Sequence, residues 1–274
     1  MCGEDKGLKD ILITGAYGGM GRAATAMLAE RGYRVFALDR SVEAEGTEEG
    51  VIPIEADITS ESEVIAAVEA VRGYTDSLCA VLHFAGIYML DSLVEMGAEA
   101  YDLIFDVNVR GAFLVNKMFL PLLGKGSRIV MTTSELAPLY PLPFTGIYAV
   151  TKAALDKYAY ALRMELQLLG INVSVLRAGA VETGMLGVST DALDRFCKST
   201  ELYRCNAERF KRIVDRVEAR SIPPERIAKS IIRILGKRNP RFAYSINRNP
   251  LLVSLNALPK RFQLWVIRRI LGHQ

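Results

Sequence analysis

Seven short apolar runs alternate with stretches of helical character along most of the chain. The runs cover residues 11–14, 34–38, 51–55, 78–84, 128–133, 171–176 and 241–246. Strands that alternate with helices in this way predict an α/β domain with a parallel sheet. Segments such as Val81-Leu82 and Ile129-Val130 are apolar at successive positions, which is typical of strands covered by helices on both faces. We therefore predict a single-domain, doubly wound parallel sheet of the Rossmann type, with its ligand at the carboxyl ends of the strands.

A glycine-rich turn follows the first run and precedes an alanine-rich stretch at residues 23–30. In a strand–turn–helix order, glycines let the backbone approach a ligand, and the free N–H groups at the helix start attract a pyrophosphate. The turn therefore predicts a dinucleotide site, although glycine-rich turns also occur in ordinary loops. Its spacing differs from the G-x-G-x-x-G pattern. The residues assigned to the cofactor here are Gly15, Tyr17, Gly18, Gly19, Met20 and Gly21.

The second run is followed directly by Asp39, 18 residues after Gly21. A carboxylate at this point can accept hydrogen bonds from the adenosine ribose hydroxyls and would repel a 2′-phosphate. Asp39 therefore predicts NAD rather than NADP as the cofactor. Two alternatives stay open: Asp39 is a turn residue without a ligand, or the neighbouring Arg40, which we also assign to the cofactor site, binds a phosphate.

Tyr148 and Lys152 stand four residues apart at the start of a predicted helix. Residues at this spacing lie on one helical face. A nearby ammonium favours the phenolate, so that the tyrosine can titrate closer to the working pH and act in proton transfer. We therefore predict that Lys152 lowers the pKa of Tyr148. An isolated pair of this kind is also common on protein surfaces.

Taken together, the turn, Asp39 and the Tyr148/Lys152 pair resemble the short-chain dehydrogenase/reductase family, over residues from about 8 to 246. Three further segments match: Asn108-Val109-Arg110-Gly111, the strand that closes on Ser134, and residues 177–183. The resemblance implies that the catalytic residues are Asn108, Ser134, Tyr148 and Lys152. It also implies a second group of cofactor-binding residues. These are Asp57, Ile58, Ala85, Gly86, Asn108, Tyr148, Lys152, Val181 and Thr183.

The resemblance further implies how these residues act. Tyr148 would exchange a proton with the substrate oxygen, which Ser134 would hold, while a hydride passes to or from the nicotinamide. Lys152 would bind the nicotinamide ribose, and Asn108 would position a water that connects Lys152 to solvent. A homodimer or homotetramer is also implied.

The chain departs from the family pattern at three places. His83-Phe84-Ala85-Gly86 stands where the family usually has Asn-Asn-Ala-Gly, and we expect His83 to be a structural residue with satisfied hydrogen bonds rather than a catalytic base. Ala178 replaces a usual proline. The interval from Ser134 to Tyr148 is one residue longer than usual, which we expect to reshape the substrate side of the pocket.

A long segment at residues 184–222 separates the sixth and seventh runs and has helical stretches near 190–197 and 207–220. In the family that this chain resembles, the corresponding region folds over the substrate, so we predict a helical lid. Its apolar residues are Met185, Leu186, Val188, Leu193, Phe196, Leu202, Tyr203 and Phe210. An opposite wall could be formed by Pro138, Leu139, Tyr140, Leu142 and Phe144. Such a pocket suits a lipophilic substrate, unless these residues pack the lid's own helices.

Charge is concentrated at the C-terminal end. The net charge is only +3, but residues 226–274 contain eleven Lys/Arg and no Asp or Glu. We divide the chain into a catalytic domain, residues 1–250, and an amphipathic extension, residues 251–274, with a basic helix opened by Pro259. This helix could lie on a membrane surface, cover the substrate pocket, or pack within the protein or its oligomer. A nucleic-acid partner is excluded, because one basic stripe without a reading motif does not specify a site.

Cysteine and histidine usage limits the compartment and the chemistry. Cys2, Cys79, Cys197 and Cys205 form no C-x-x-C pair, and the N-terminal residues are charged without an apolar signal core. We therefore expect a reduced cytoplasmic protein, with peripheral membrane contact as the alternative. Only two histidines occur, without clustered cysteines, so no metal site is expected. No run approaches the length of a spanning helix.

The sequence therefore predicts an NAD-dependent oxidoreductase that interconverts a secondary alcohol and a ketone on a lipophilic substrate, such as a hydroxysteroid or bile acid. The enzymatic alternative is a 3-oxoacyl thioester reductase. The alternative from another class is a nucleotide-binding regulator without catalysis, although a regulator has no need of the Ser134/Tyr148/Lys152 group.

Overall fold

The computed structural model describes residues 9–42, 49–218 and 221–272. Within them, seven strands form one parallel sheet in the order β3-β2-β1-β4-β5-β6-β7. The strands are β1 Lys9–Thr14, β2 Tyr33–Asp39, β3 Val51–Glu55, β4 Leu78–His83, β5 Leu123–Ser134, β6 Asn172–Ala178 and β7 Ala243–Ile246. The predicted doubly wound parallel sheet is confirmed. Because the strand order reverses between β1 and β4, a crevice opens there at the carboxyl ends of the strands.

Ten α-helices accompany the sheet in the described part of the chain. They are α1 Gly19–Ala29, α2 Glu61–Arg72, α3 Ala98–Phe105, α4 Gly111–Phe119, α5 Gly146–Leu166, α6 Gly184–Ser199, α7 Arg204–Glu218, α8 Glu225–Leu235, α9 Pro250–Ala257 and α10 Lys260–Leu271. A π-helical turn, Asp106–Arg110, joins α3 to α4. None of the described helices is long and apolar enough to cross a membrane.

Strand residues alternate between two cores, as the two-residue period of a strand requires. Leu12 of β1 packs with residues of α2, α4 and α5, whereas its neighbours Ile11 and Ile13 pack with α1 and α8 on the other face. The predicted seven strands are present, with shifted ends. The predicted strand at 78–84 stops at His83, because the next residues leave the sheet to line the crevice.

A third apolar cluster lies outside the sheet, between the two helices of the predicted lid and the C-terminal helix. Its buried members are Leu90, Leu193, Phe196, Ala207, Phe210 and Leu271. The lid helices α6 and α7 are longer than the stretches predicted from sequence. Residue 220, the predicted end of the second stretch, lies outside the described residues.

The start of α9 is fixed by its sequence. Asn249 caps the helix, with its side chain accepting a hydrogen bond of 2.9 Å from the backbone N–H of Leu251, and Pro250 occupies the first turn. A proline is tolerated at this position because the N–H that it lacks would have no helical partner. The helix therefore begins directly after the last strand and extends across the carboxyl end of the sheet, over the cavity described below.

Candidate active site

The glycine-rich turn brings backbone segments too close together for larger residues. Gly15 has a φ of +69°, and a Cβ at this position would stand 2.5 Å from the backbone nitrogen of Ala85. A Cβ on Gly21 would stand 2.0 Å from the carbonyl oxygen of Gly15. Only glycine fits these two sites, since real contacts of a Cβ are longer. The turn is therefore pressed against the end of β4 and leaves the start of α1 open to a ligand.

A groove of about 570 Å³ follows this turn along the carboxyl ends of β1, β2 and β4. Most of the residues assigned to the cofactor line it together. They are Gly15, Tyr17, Gly18, Gly19, Met20, Gly21, Asp39, Arg40, Asp57, Ile58, Ala85, Gly86 and Thr183. Further residues line the groove that sequence reasoning did not assign to the cofactor. They are Leu38, Ser41, Ala56, Thr59, Phe84, Ile87, Tyr88, Leu103, Val107 and Gly184. The groove has the glycine cradle that a dinucleotide requires.

Asp39 is held at one end of the groove by backbone donors. Its Oδ2 accepts a hydrogen bond of 2.9 Å from the N–H of Tyr17, and its Oδ1 accepts one of 2.8 Å from the N–H of Arg40. The carboxylate therefore has a fixed position between the glycine-rich turn and β2. Carboxylate oxygens have several lone pairs, so both retain capacity for a ligand hydroxyl.

Asp57 is fixed by a different arrangement. Its Oδ1 accepts hydrogen bonds from the N–H and the hydroxyl of Thr59, at 2.8 and 2.7 Å, in a local turn. The next residue, Ile58, packs against Gly111, where a Cβ would stand 2.6 Å from the isoleucine Cδ1. These contacts attach the loop after β3, which lines the groove, to the start of α4.

Asn108 lies in the π-helical turn, buried behind the groove. Its Oδ1 accepts a hydrogen bond of 2.8 Å from the N–H of Ile87, and its Nδ2 donates to the carbonyl of Ile87 at 3.0 Å and to Thr151 Oγ1 at 3.1 Å. A π-helical turn inside a helix is frequent at functional sites, since it redirects one side chain. Here it directs Asn108 into the end of β4 and toward α5.

Lys152 lies next to Asn108. A Cβ on Gly86 would stand 3.2 Å from Lys152 Nζ and 3.1 Å from Asn108 Oδ1, so a glycine here lets both groups reach the same space. The ammonium also donates to the carbonyl of Thr132 at 3.4 Å. Burial lowers the pKa of Lys152 to about 8. The amine is therefore still mostly protonated near neutral pH.

Ser134 and Tyr148 come together at the carboxyl end of β5. The serine hydroxyl is hydrogen-bonded to the phenol, and the ring of Tyr88 lies 4.8 Å from that of Tyr148, measured between centroids. Ser134 ends β5 and Tyr148 lies in the first turn of α5, so the loop between them brings the two hydroxyls to one point. Both hydroxyls can therefore reach one substrate oxygen, as the roles that the family resemblance implies for Ser134 and Tyr148 require.

The predicted effect of Lys152 on Tyr148 is wrong for this structure. The pKa of Tyr148 is raised above its ordinary value, first by burial against apolar walls and then by the neighbouring phenol of Tyr88, while the bond from Ser134 opposes the rise. Lys152 Nζ lies 5.7 Å from the centre of the Tyr148 ring. At that distance a cation whose own charge is disfavoured by burial does not outweigh the desolvation of the phenolate.

A second cavity, of about 530 Å³, opens in front of Tyr148 and is lined mainly by apolar side chains. Its polar end is formed by Thr133, Ser134, Glu135, Thr145, Tyr148 and Asn249. Its apolar walls come from α7, α9, α10 and the loop after β5. Their lining residues include Leu136, Leu142, Pro143, Phe210, Ile213, Val214, Leu251, Leu252, Leu255, Val266, Ile267, Ile270 and Leu271. Val181 and Thr183 also line this cavity, and Met20, Tyr88 and Thr183 line both cavity and groove.

Several of the apolar residues predicted to line the pocket pack within the lid cluster instead. Phe144 contacts the rings of Phe196, Tyr203 and Phe210, with centroids 4.7, 5.3 and 5.6 Å away. Among the predicted residues whose side chains are described, only Leu142 and Phe210 line the cavity, while Leu202 and Tyr140 are exposed. The side chains of Met185, Leu186 and Val188 lie outside the described part of the chain. The longer loop does contribute, since Leu136 and Pro143 lie in it.

The C-terminal segment covers the cavity with the inward side of its helices. The Nδ2 of Asn206 in α7 donates to the carbonyl of Leu271 at 2.5 Å, and Arg209 donates to that of Gly272. Asn256 of α9 accepts a hydrogen bond of 2.6 Å from the N–H of Tyr140. Of the three placements left open by the sequence, the cover over the pocket is the one these contacts describe within one chain.

Glu135 is a cavity residue that sequence reasoning missed. Its side chain is buried, and its Oε2 accepts a hydrogen bond of 2.6 Å from the N–H of Asn249. Burial raises the pKa of this carboxyl group, against the opposing effects of the Asn249 bond and the nearby Arg248 charge. Because Glu135 directly follows Ser134, this hydrogen bond joins the end of β5 to Asn249, the cap of α9. No local pattern signals a contact between residues so far apart.

The structural role predicted for His83 is confirmed. The ring is buried, and its Nε2 lies 2.9 Å from Asn116 Oδ1, while the Nδ2 of Asn116 donates to the hydroxyl of Tyr158 at 3.2 Å. Burial lowers the pKa of His83 to about 4. The neutral ring thus joins β4 to α4 and α5 beneath the groove. The described residues contain no group of three or more His, Cys, Asp or Glu that could hold a metal; Cys2 and His273 lie outside them.

Comparisons with known proteins agree with this geometry. A profile of the short chain dehydrogenase family matches residues 9–194. An NADPH-dependent 1-acyldihydroxyacetone phosphate reductase of Schizosaccharomyces pombe is 31% identical over 67% of this chain and 65% of its own length. Estradiol 17-beta-dehydrogenase 2 of Mus musculus is 29% identical over 86% of this chain and 67% of its own length. The chain thus spans about two thirds of the length of these two relatives.

Among solved structures, a 3-ketoacyl-(acyl-carrier-protein) reductase from Brucella melitensis, complexed with NADH, has the same fold. Its TM-score is 0.70 at 23% identity, and the match covers 87% of this chain and 96% of that chain. The protein belongs to the short-chain dehydrogenase family and is an oxidoreductase of CH–OH and ketone groups that uses a nicotinamide cofactor.

Proposed function

We propose that the protein is an NAD-dependent oxidoreductase that interconverts a secondary alcohol and a ketone on a lipophilic substrate, such as a hydroxysteroid or bile acid. The observation that carries the proposal is the cavity of about 530 Å³ whose walls are apolar and whose polar end holds Ser134 and Tyr148. A pocket with few, convergent polar groups binds a mostly apolar ligand and orients its single reactive oxygen.

The reaction is derived from the hydroxyl pair. In ketone reduction, Ser134 donates a hydrogen bond to the substrate oxygen and Tyr148 donates its proton to the same atom. In alcohol oxidation, the phenolate of Tyr148 takes that proton back. The bound nicotinamide supplies or accepts the hydride. The raised pKa of Tyr148 keeps the phenol protonated, as the donor in ketone reduction must be before the transfer.

Lys152 and Asn108 act on the cofactor side of Tyr148. Both reach the space beside Gly86, where Lys152 would hold the nicotinamide ribose and Asn108 would hold a water between Lys152 and solvent. With a pKa of about 8, the Lys152 amine can lose and regain a proton near the working pH. This property suits a group that restores the proton of Tyr148 after each turnover.

NAD is the proposed cofactor because of Asp39. Its carboxylate is fixed at the groove by the N–H groups of Tyr17 and Arg40, at 2.9 and 2.8 Å. A fixed negative charge there accepts hydrogen bonds from ribose hydroxyls and repels a 2′-phosphate. One relative is described as NADPH-dependent, so NADP is the competing cofactor, with Arg40 as its phosphate ligand.

The competing substrate class is a 3-oxoacyl thioester, which the solved reductase with the same fold is named for. The cavity favours a hydrophobic ring system or chain that α9 and α10 cover. We also propose that the protein is a homodimer or homotetramer, which the family resemblance implies.

An activity screen with a matched variant tests the proposal. NADH oxidation and NAD reduction are measured with steroids, bile acids, retinoids and 3-oxoacyl thioesters, using the wild-type protein, Tyr148→Phe and Tyr160→Phe. Tyr160 lies exposed on the same helix and serves as the control. We expect turnover of a steroid or bile acid that falls by about 10²–10⁴ in Tyr148→Phe alone, with NADH binding retained. If the protein binds NADH but turns over no compound of the panel, the alternative of a nucleotide-binding regulator without catalysis would be favoured.

A further inference from the structure

The C-terminal helix α10 has two different apolar sides. Val266, Ile267 and Leu271 face inward and line the catalytic cavity. On the opposite side, Phe262, Leu264 and Trp265 remain 47, 68 and 57% exposed. Covering the cavity needs only the inward side, so the exposed side has no role in closing the pocket.

The exposed side combines adjoining aromatic rings with cations. The rings of Phe262 and Trp265 stack with centroids 5.3 Å apart and form one apolar ridge. Three exposed cations flank it along the same helix, namely Arg261, Arg268 and Arg269, whereas Lys260 lies over the ring of Tyr140. We call the two rings, the three flanking cations and Leu264 the outer face of α10. The sequence from residue 226 to the chain end contains no Asp or Glu that would neutralise it.

The combination of cations and aromatic rings indicates which kind of partner binds this face. Two copies of the outer face placed against each other would bring their cations together, and like charges in an interface are unfavourable. A nucleic acid would be bound by the cations, but it leaves the aromatic ridge without an apolar partner. An anionic lipid surface satisfies both features, because the acyl region receives the rings and the headgroups receive the cations.

We propose that the outer face of α10 is a docking surface for an anionic lipid bilayer, with the helix lying in the plane of the interface. The helix has the composition of interfacial helices, which place Trp, Phe and Leu in the headgroup boundary and Lys/Arg around them. No described helix crosses a membrane, so the attachment is peripheral.

The docking does not depend on the proposed reaction, but it gives that reaction a route for its substrate. The same helix that contacts lipid on one side lines the catalytic cavity on the other. A lipophilic substrate dissolved in the bilayer therefore meets the cover of the cavity where it leaves the membrane. This second step rests on the proposed function.

Trp265 reports on the docking directly, since it is the only tryptophan in the chain. The full-length protein is titrated with vesicles of phosphatidylcholine alone and of phosphatidylcholine mixed with phosphatidylserine. With the mixed vesicles we expect a saturable blue shift of the tryptophan emission and quenching by brominated acyl chains. With phosphatidylcholine alone we expect little change. No blue shift with mixed vesicles, or equal shifts with both, would overturn the proposal.

Charge variants separate docking from general electrostatics. In co-sedimentation with the mixed vesicles, Arg261→Gln/Arg268→Gln/Arg269→Gln should lower the vesicle partition coefficient by about tenfold or more. The control Arg72→Gln/Lys229→Gln/Arg233→Gln removes three exposed cations from α2 and α8 and should bind as the wild type does. Equal loss in both variants would contradict a specific face. A blue shift that grows with protein concentration without vesicles would assign the face to a second copy or other protein instead.

Vesicle binding and turnover are read separately, so each proposal can fail alone. Binding of an enzyme that turns over no lipophilic ketone would leave the docking surface and reject the proposed function. Turnover of a lipophilic ketone without vesicle binding would support the proposed function and reject the docking surface.

Discussion

The cofactor groove and the substrate cavity meet at Met20, Tyr88 and Thr183, yet they are built by opposite means. The groove depends on backbone contacts, such as the approach of Gly15 to Ala85, that only glycine allows. The cavity depends on apolar side chains that three separate helices, α7, α9 and α10, supply. Many apolar residues can fill a wall, whereas one residue type fits a backbone contact.

This difference explains why one half of the site identifies its ligand and the other does not. Glycines that close backbone contacts require leave a pattern in the sequence, and this pattern is typical of a nucleotide site. An apolar wall specifies only that its ligand is apolar and fits the volume. The following predictions separate the two halves by changing one while leaving the other intact.

The largest effect is expected from Gly15→Ala, which damages the groove alone. The new Cβ would stand 2.5 Å from the nitrogen of Ala85, in backbone with a φ of +69°. We expect a loss of about 3 kcal/mol of unfolding free energy, because left-handed backbone costs about 1–2 kcal/mol and the clash adds to it. NADH affinity should fall by about a hundredfold, measured by fluorescence titration.

Gly32→Ala is the matched control for that variant. Gly32 has a φ of +74°, but a Cβ there would have nothing within 4 Å. It should cost only the backbone term, about 1–2 kcal/mol, and leave NADH affinity unchanged. If both variants bind NADH as the wild type does, the close approach of Gly15 to β4 is not what shapes the groove.

The next prediction concerns how stability depends on pH through His83, which is buried beneath the groove. The folded state holds its pKa at about 4, below the ordinary 6.5. As the pH falls below 6.5, His83 takes up a proton in the unfolded chain but stays neutral in the folded state. The free energy of unfolding therefore decreases between pH 6.5 and pH 4, and the decrease is complete near pH 4. Since one pKa unit corresponds to about 1.4 kcal/mol, the loss approaches about 3 kcal/mol.

His83→Asn removes this titration while keeping a group that can bond Asn116. The difference in unfolding free energy between neutral and acid pH should therefore be smaller by about 3 kcal/mol in the variant. Urea unfolding at a series of pH values measures it. The same slope in both proteins would mean that His83 is protonated in the folded state, contrary to its burial.

The contrast between groove and cavity also explains which features of the structure could be predicted from the sequence. The sheet, the glycine-rich turn and the position of Asp39 were predicted, because each follows from local pattern or from a backbone requirement. Ser134 was assigned from the family resemblance. The raised pKa of Tyr148 was not predicted, since burial depends on walls contributed by distant helices.

Contacts across long sequence separations were also beyond the sequence. The bond from Asn249 to Glu135 joins residues 114 apart. The cluster around Phe144, which has a φ of +67°, takes its partners from both lid helices. Apolar spacing could say that Phe196 and Phe210 are buried, but whether they face a substrate or each other depends on how those helices pack.

A smaller change should come from Asp39→Ala, which alters the choice of cofactor and leaves the cavity untouched. Removing the carboxylate removes the repulsion of a 2′-phosphate and the acceptor for the ribose hydroxyls. We expect the ratio of kcat/KM for NADH to that for NADPH to fall by about tenfold or more. Two like charges about 4 Å apart near a protein surface repel by about 1–4 kcal/mol. An unchanged ratio would mean that Asp39 does not face the ribose.

The smallest effect is expected from Val266→Ala, which changes the cavity and leaves the groove intact. Val266 lines the cavity from α10, and truncation removes two methyl groups from the surface that a lipophilic substrate would contact. Full burial of both groups is worth about 1.6 kcal/mol, or about fifteenfold in affinity. Because Val266 is only partly buried, we expect KM for that substrate to rise by about fivefold while NADH affinity stays constant. Val94→Ala is the control, because Val94 is exposed and lines neither space. If KM does not move, the substrate does not extend beneath α10, and the cavity wall nearest the proposed lipid surface is not part of the substrate site.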